Sequence, residues 1–144
     1  MYTSILVPTD GSEISEKAVK TASSLAKLCG AKLALLSVKE PFPYSAISEM
    51  QPVPPQEFYD AQERITTAWI NAGLAIAKDA GVPSQGYTIE AVHPWEAILD
   101  QAKTQGSDLI VMASHGRRGL SALLLGSETQ RVLIHSQIPV LVVR

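Results

Sequence analysis

The sequence has very little cysteine and no large excess of charge of either sign. Cys29 is the only cysteine among 144 residues, so no disulfide can form within the chain. A reducing compartment is the simpler expectation, and we therefore expect a cytoplasmic protein. The formal net charge is −2, whereas a general nucleic-acid binder needs an excess of Lys and Arg to displace counterions. We expect no nucleic-acid partner.

Long apolar runs are also absent. No segment approaches the ~18 apolar residues of a membrane-spanning helix, and the N-terminal residues lack the basic and apolar regions of a signal peptide. Hydrophobic residues make up 46% of the chain and charged residues 18%, which is typical of a globular protein rather than a disordered one. We expect one domain over residues 1–144, with no membrane association.

Several well-known chemical motifs are missing. No Gly-Lys dipeptide occurs, which excludes the GxxxxGK[ST] phosphate loop, and the turn after the first predicted strand has one glycine where a dinucleotide-binding fold shows GxGxxG. Met112 occupies the first glycine position of a G-x-S-x-G nucleophile elbow around Ser114, which argues against a serine hydrolase. The 3 histidines lie on separate segments. We predict no catalytic residue and no metal site.

Apolar patterns along the chain predict strands and helices in alternation. Short continuous apolar runs are typical of buried parallel strands, and apolar residues at helical spacing indicate helices. Strands are predicted over residues 4–7, 31–38, 87–92, 109–112 and 138–143, and helices over about 12–30, 56–80, 94–106 and 126–136. This alternation predicts an α/β domain of three layers, with an open, Rossmann-like sheet of five parallel strands.

The region between the second strand and the second helix is irregular. Prolines at 41, 43, 52, 54 and 55 exclude a regular helix over residues 39–55, so this segment is a candidate lid or partner surface. The helix that follows is predicted to bury one apolar face. That face contains Phe58, Ala61, Ile65, Ala68, Ala72 and Ile76.

The stretch 108–134 is the part of the chain best suited to hold an anion. A buried strand runs into a loop of small residues, and a Gly-Ser pair opens the last helix. Gly116, Gly126 and Ser127 can supply N–H groups and a hydroxyl, and a helix N-terminus adds unpaired donors and a positive dipole end. Alternatively, the glycines only turn the chain, Ser127 caps the helix, and Arg117 and Arg118 are solvated.

A carboxylate follows the first strand, in the loop from Pro8 to Ser12. Ligands of open parallel sheets bind outside the carboxyl ends of the strands, and Asp10 lies at such an end. There it can accept a hydrogen bond from a ribose hydroxyl. It can equally cap the helix that follows, as can Ser12.

Three stretches resemble one family. The opening ILVPTDGS, the interior DLIVMASHGRRGLSALLLGS and the closing IPVLVVR are similar to the universal stress protein family, over essentially all 144 residues. Nucleotide-binding members share the pattern G-x2-G-x9-G-[ST]. It falls here on Ala113, Gly116, Gly126 and Ser127, so the spacing is kept and alanine replaces the first glycine.

The resemblance implies a fold, a ligand and a site. The expected strand order is 3-2-1-4-5, which makes the first and fourth strands neighbours. The expected ligand is ATP, or else AMP or ADP, with Mg²⁺ held only through the phosphates. Asp10 and Ala113 would contact ribose, the Val38 backbone would meet adenine, and the two glycines and Ser127 would hold phosphates. The full candidate set is Pro8, Thr9, Asp10, Val38, Met112, Ala113, His115, Gly116, Arg117, Gly126, Ser127 and Glu128.

A hydrophobic strand at the end of the chain, 138–143, predicts self-association. Such a strand is an exposed template unless something covers it, and pairing with a second copy is the simplest cover. The family resemblance also implies a homodimer through this strand. We therefore expect a dimeric universal stress protein that binds ATP as a regulatory or stabilising ligand.

Other interpretations stay open. One is a slow Mg²⁺-dependent ATPase in which Asp10 assists, since any ATP hydrolysis is expected to be weak. Another is a member without nucleotide whose segment 41–55 docks a protein partner. A third, an RNA-binding GxxG loop at 116–119, is disfavoured because the order of elements and the acidic net charge do not suit it.

Overall fold

The computed structural model describes residues 1–43, 55–117 and 124–144. Its elements are β1 (Ser4–Pro8), α1 (Glu13–Cys29), β2 (Lys32–Lys39), α2 (Gln56–Asp79), β3 (Ser84–Glu90), α3 (Pro94–Thr104), β4 (Leu109–Ala113), α4 (Ser127–His135) and β5 (Val140–Val143). Most of the proline-rich segment lies outside the described residues, as do Arg118 and Gly119. Within the described ranges, none of the helices combines the length and apolar character needed to cross a bilayer.

The strands form one parallel sheet with the order β3-β2-β1-β4-β5. This confirms the predicted α/β class and the strand order 3-2-1-4-5. β1 is central and pairs with β2 on one side and with β4 on the other, with Ile5 opposite both Leu33 and Leu109. Because parallel strands end at the same edge, the loops after β1 and β4 lie side by side.

Helices cover both faces of the sheet. Ile5 and Val7 of β1 belong to the apolar cluster that includes residues of α1 and α2. Leu6, which lies between them, belongs to the cluster with α3 and α4. Successive side chains of a strand point to opposite faces, so a strand buried on both faces becomes a continuous apolar run. The three-layer arrangement follows.

The edges of the sheet differ from the sequence prediction. β3 begins at Ser84, whereas the sequence pattern predicted a start at Tyr87. The prediction missed the first residues because they are polar or lack a side chain and gave no apolar signal. A Cβ added at Gly86 would lie 2.2 Å from Cγ2 of Ile70 in α2, so the strand passes close to that helix. β5 begins at Val140 rather than at Ile138. The N–H of Ile138 donates to the Ser136 hydroxyl at 3.2 Å, and Pro139 has no N–H to donate.

The predicted buried face of α2 was wrong. The residues that α2 buries are Thr66, Ile70, Gly73 and Ala77. Ile65, placed on the buried face by the apolar pattern, is 41% exposed. The Thr66 hydroxyl donates to the Gln62 carbonyl at 2.8 Å, and a Cβ at Gly73 would lie 2.9 Å from Cδ1 of Leu35. A satisfied hydroxyl and a glycine thus occupy the contact face, and neither contributes to an apolar pattern.

Asp108 joins the start of β4 to the start of β1. Its carboxylate accepts from the Thr3 N–H at 2.9 Å, the Thr3 hydroxyl at 2.9 Å and the Ser4 N–H at 3.1 Å. Burial of the carboxyl raises its pKa, but the hydrogen bonds from Thr3 and Ser4 outweigh burial and leave the pKa below its ordinary value. The ionised form is therefore the one that the fold stabilises.

Replacing Asp108 is expected to destabilise the protein modestly. We expect Asp108→Ala to lower the free energy of unfolding by about 1 kcal/mol near neutral pH, since these bonds are open to solvent. A depressed pKa stabilises the fold above the unfolded value, about 3.9, and this contribution is lost as pH falls through the folded pKa. Urea denaturation measures the difference, with Asp100→Ala on α3 as the control. A loss equal to that of the control would contradict the expectation.

Candidate functional site

Three loops meet at the carboxyl ends of β1 and β4. Asp10 follows β1, residues 113–117 follow β4, and Gly126 precedes α4. The N–H of Arg117 donates to Oδ2 of Asp10 at 2.8 Å. The N–H of Gly126 donates to the Ser114 carbonyl at 2.7 Å. The predicted neighbourhood of the first and fourth strands is therefore present, and these loops share one surface.

Defined donors hold the Asp10 carboxylate in place. Oδ1 accepts from the Ser12 N–H at 3.1 Å and from the Ser12 hydroxyl at 2.5 Å, while Oδ2 accepts from the Arg117 N–H. The N-cap of α1 is Ser12, whose side chain accepts from the Ser15 N–H at 3.2 Å. Of the two caps that the sequence allowed, the structure uses Ser12, and Asp10 instead bridges the β1 and β4 loops.

Asp10 is ionised at neutral pH. Burial raises the pKa of its carboxyl, but the hydrogen bonds from the Ser12 hydroxyl, the Ser12 N–H and the Arg117 N–H outweigh burial. The pKa therefore lies below its ordinary value, because the charged form is the one that accepts these bonds. An ionised carboxylate accepts hydrogen bonds only, so its remaining acceptor positions suit hydroxyl groups such as those of a ribose.

Pro8 and Thr9 connect β1 to this loop. Thr9 is buried, its N–H donates to the Leu36 carbonyl at 2.8 Å, and its carbonyl accepts from the Ser37 hydroxyl at 2.7 Å. Its hydroxyl lies 3.2 Å from that of Ser15. Pro8 is the last residue of β1. The hydrogen-bonding groups of Thr9 are thus engaged within the protein, and they anchor the loop that carries Asp10.

Two glycines allow the loops to approach one another. A Cβ at Gly116 would lie 2.7 Å from Oδ2 of Asp10, the end of a side chain. A Cβ at Gly126 would lie 3.0 Å from the Cα of His115 and 3.2 Å from the Ser114 carbonyl oxygen. The Gly126 contacts are with backbone, which cannot rotate away. A Cβ at residue 126 therefore requires the β4 loop and the start of α4 to shift apart by a few tenths of an ångström.

The N-terminus of α4 opens onto the same surface. Gly126 is its N-cap, and no side chain makes the capping hydrogen bond. The N–H groups of the first turn have no intrahelical partners, and together with the positive dipole end they favour an anion. Ser127 is the first residue of α4 and is exposed. This end of α4 therefore offers both N–H donors and a hydroxyl.

The end of β4 is tied to its surroundings by hydrogen bonds. The Ala113 carbonyl accepts from the Thr129 hydroxyl at 2.9 Å, and the Ser114 N–H donates to the Val143 carbonyl at 2.8 Å. The Ala113 side chain is buried and belongs to the apolar cluster on the α1–α2 face. Met112 is buried in the cluster on the opposite face. The methyl group that replaces the motif's first glycine is therefore part of the core.

Other candidate residues occupy different positions. Val38 lies near the end of β2, opposite Ile89 of β3 in the sheet register. His115 is half-buried, with Nδ1 3.2 Å from the Ser114 hydroxyl. The Glu128 side chain accepts from the backbone N–H of Trp95 at 2.8 Å, so it links α4 to the start of α3. Only the backbone of Glu128 then faces the start of α4.

The sequence analysis missed two residues that contact the predicted site. Thr129, described above, bridges β4 and α4. Trp69 of α2 packs so closely on the β1 loop that a Cβ at Gly11 would lie 2.1 Å from its Cδ1. The Arg117 guanidinium carbon lies 5.1 Å from the centroid of the Trp69 ring. No local sequence pattern indicates that α2 packs beside this loop, so Trp69 could not be predicted. Thr129 could have been, because it lies two residues after the Gly126-Ser127 pair.

Two surface depressions lie elsewhere. One, of about 400 Å³, includes Lys32 and Ser84 at the starts of β2 and β3. The other, of about 460 Å³, includes Glu90 and Asp100 between the end of β3 and α3. Neither includes Asp10 or Gly126. Over the ranges that the structure describes, no group of three or more His, Cys, Asp or Glu side chains is placed to hold a metal ion.

Known proteins resemble this chain in sequence and in structure. The sequence profile of the Universal stress protein family matches residues 1–144. Universal stress protein YxiE of Bacillus subtilis is 34% identical over 152 residues, with 100% of each chain covered. Universal stress protein MJ0577 of Methanocaldococcus jannaschii is 32% identical, covering 100% of this chain and 96% of that protein.

Solved structures share the fold as well as the sequence. The structure of protein MJ0577 matches with a TM-score of 0.78 at 32% identity, covering 99% of this chain and 96% of that one. A universal stress protein solved in complex with cAMP matches with a TM-score of 0.74 at 29% identity, covering 99% and 97%. The arrangement of strands and helices is therefore common to these proteins.

Proposed function

This chain belongs to the universal stress protein family, and on that premise we propose that it binds an adenine nucleotide, with ATP preferred to AMP or ADP. The nucleotide would act as a regulatory or stabilising ligand in a stress response. The observation that carries the proposal is that the Asp10 carboxylate and the start of α4, which has no side-chain cap, are both hydrogen-bonded to the loop after β4. A relative with the same fold holds cAMP, which supports an adenine nucleotide as the ligand class.

Each part of a nucleotide has a chemically suitable partner in this arrangement. Asp10 is an ionised acceptor for ribose hydroxyls. The start of α4, at Gly126 and Ser127, supplies N–H donors for phosphate oxygens. Gly116 leaves room beside Asp10, since a side chain there would meet Oδ2. Val38 near the end of β2 would present its backbone to the adenine.

The distribution of charge supports the proposed preference for ATP. The start of α4 carries a positive dipole end, and the exposed Arg117 contributes a full positive charge next to Gly116. A chain of three phosphates presents more negative charge and more acceptor oxygens to these groups than the single phosphate of AMP does. Mg²⁺ would be held through the phosphates alone.

Mass spectrometry of the purified protein after denaturation tests this proposal directly. We expect an adenine nucleotide to be released, and any nucleotide-free fraction to bind added ATP in a calorimetric titration. A preparation that releases none and gives no heat with ATP would favour the interpretation as a protein-interaction module without nucleotide.

Phosphate release distinguishes a ligand from a substrate. We expect the rate with ATP and Mg²⁺ to equal the background of the preparation in both wild type and Asp10→Ala, because phosphoryl transfer requires a positioned nucleophile as well as a cationic clamp. Phosphate release above background in wild type that Asp10→Ala abolishes would instead establish a slow ATPase.

We also propose a homodimer through residues 138–143. In the described part of the sheet, β5 pairs with β4 only, and Leu141 is 40% exposed. A hydrophobic edge strand is a template for pairing with another chain. Light scattering after size exclusion should give twice the monomer mass for wild type and the monomer mass for Leu141→Lys. A monomeric wild-type protein, or a dimer that Leu141→Lys leaves intact, would contradict this assembly.

A further inference from the structure

The Arg117 side chain rests on an aromatic face. Its guanidinium carbon lies 5.1 Å from the centroid of the Trp69 ring, within the range of a cation–π contact. The backbone N–H of Arg117 donates to Oδ2 of Asp10 at 2.8 Å. Both the backbone and the charged end of Arg117 are therefore held, although the residue is exposed to solvent.

Trp69 is itself fixed by the loop that carries Asp10. Its indole ring lies against Gly11, where a Cβ would come within 2.1 Å of Cδ1 and 2.2 Å of Nε1. Gly11 has a φ of +76°, a conformation that other residues rarely adopt. The ring is thus set between the β1 loop and the Arg117 guanidinium, and α2 is coupled to the nucleotide-binding surface proposed above.

The placement of Arg117 suits an anionic ligand. Among the described residues, no carboxylate lies within salt-bridge distance of its guanidinium. A cation–π contact uses the charge of the guanidinium and not its N–H groups, so these groups can still donate to phosphate oxygens. A side chain already held in place also loses less conformational entropy when it binds.

We propose that Trp69 is a positioning residue that holds Arg117 as a phosphate receptor, so that the site selects phosphorylated nucleotides over adenosine. This assignment rests on the proposed nucleotide-binding function. In this assignment Asp10 and Val38 contact the nucleoside, whereas the contribution that Trp69 makes through Arg117 concerns only ligands with phosphates. Removing the aromatic face should lower the affinity for ATP and leave that for adenosine unchanged.

Calorimetric titrations with ATP and with adenosine, at fixed ionic strength, test this assignment. Trp69→Leu should weaken ATP binding about 2- to 5-fold, the range of an exposed cation–π contact, with adenosine affinity changed by less than about 1.5-fold. Trp69→Phe keeps an aromatic face and should recover most of the ATP affinity. Arg64→Ala removes an exposed guanidinium elsewhere on α2. It is the charge-matched control for Arg117→Ala and should leave both affinities unchanged.

The double variant Trp69→Leu/Arg117→Ala decides whether Trp69 acts through Arg117. It should bind ATP no more weakly than Arg117→Ala alone. Equal losses for ATP and adenosine in Trp69→Leu, or additive losses in the double variant, would assign Trp69 a purely structural role and overturn the proposal. If wild type binds adenosine and ATP equally well, this assignment alone fails. If wild type binds neither, the proposed nucleotide-binding function fails with it.

Discussion

Gly126→Val is expected to abolish measurable ATP binding, with a loss of at least about 100-fold, as when two charge-assisted hydrogen bonds are removed. A Cβ at residue 126 already lies 3.0 Å from the His115 Cα and 3.2 Å from the Ser114 carbonyl oxygen, and valine adds two further methyl groups. The φ of −61° at this residue is open to any amino acid. The expected effect therefore comes from displacement of the α4 N-terminus rather than from backbone strain.

A graded series separates this steric effect from a general loss of structure. Gly126→Ala adds a single methyl group and should give an intermediate loss. Ser127→Ala keeps the backbone position and removes only a hydroxyl, so it should give the smallest loss. Calorimetric titration with ATP measures all three, and thermal unfolding confirms that each variant is folded. A folded Gly126→Val protein that binds ATP as tightly as wild type would place the nucleotide elsewhere.

Asp10→Ala is expected to have the second largest effect, weakening ATP binding about 10- to 100-fold through the loss of an ionised acceptor for ribose. The substitution also removes the acceptor for the N–H groups of Ser12 and Arg117, so the free energy of unfolding should fall by about 1–2 kcal/mol. Asp10→Asn keeps one oxygen and should lose less of both. Equal affinities for ATP in Asp10→Ala and wild type would remove Asp10 from the site.

The same residue makes a prediction about pH. The pKa of Asp10 is below its ordinary value because the hydrogen bonds from Ser12 and Arg117 outweigh burial. Its stabilising contribution is therefore present above the unfolded value, about 3.9, and is lost as pH falls through the folded pKa. The difference in unfolding free energy between wild type and Asp10→Asn should shrink as pH falls from 7 to about 3. A difference independent of pH would contradict this account.

The fold could be predicted because its central strands carry the strongest signal. β1 and β4 are buried on both faces, and continuous apolar runs such as Leu109–Ala113 mark them directly. The bounds of β3 and the buried face of α2 were harder to predict. β3 is half exposed and begins with Ser84, Gln85 and Gly86, and α2 buries Thr66 and Gly73. In both cases the contact depends on small or hydrogen-bonded residues, which an apolar pattern does not register.

The residues of the candidate site also differ in whether the sequence could predict them. Asp10 and Gly126 could be proposed as candidates because strand ends and helix starts can be read locally. The family resemblance added the expectation that β1 and β4 are neighbours, and the sheet has that order. Trp69 could not be proposed, because its position beside Gly11 depends on how α2 packs over the sheet. The direction of the Glu128 side chain, toward the start of α3, likewise depends on contacts between distant helices.

A crystal structure of the protein with ATP is the most direct test of the central claim, that the loops after β1 and β4 form an adenine-nucleotide site. We predict phosphate oxygens within hydrogen-bonding distance of the Ser127 N–H at the start of α4. The ribose hydroxyls should lie on the Asp10 carboxylate, and the adenine should lie against the Val38 backbone. ATP bound in the depression between β3 and α3, or crystals grown in excess ATP with no nucleotide at Asp10, would contradict the claim.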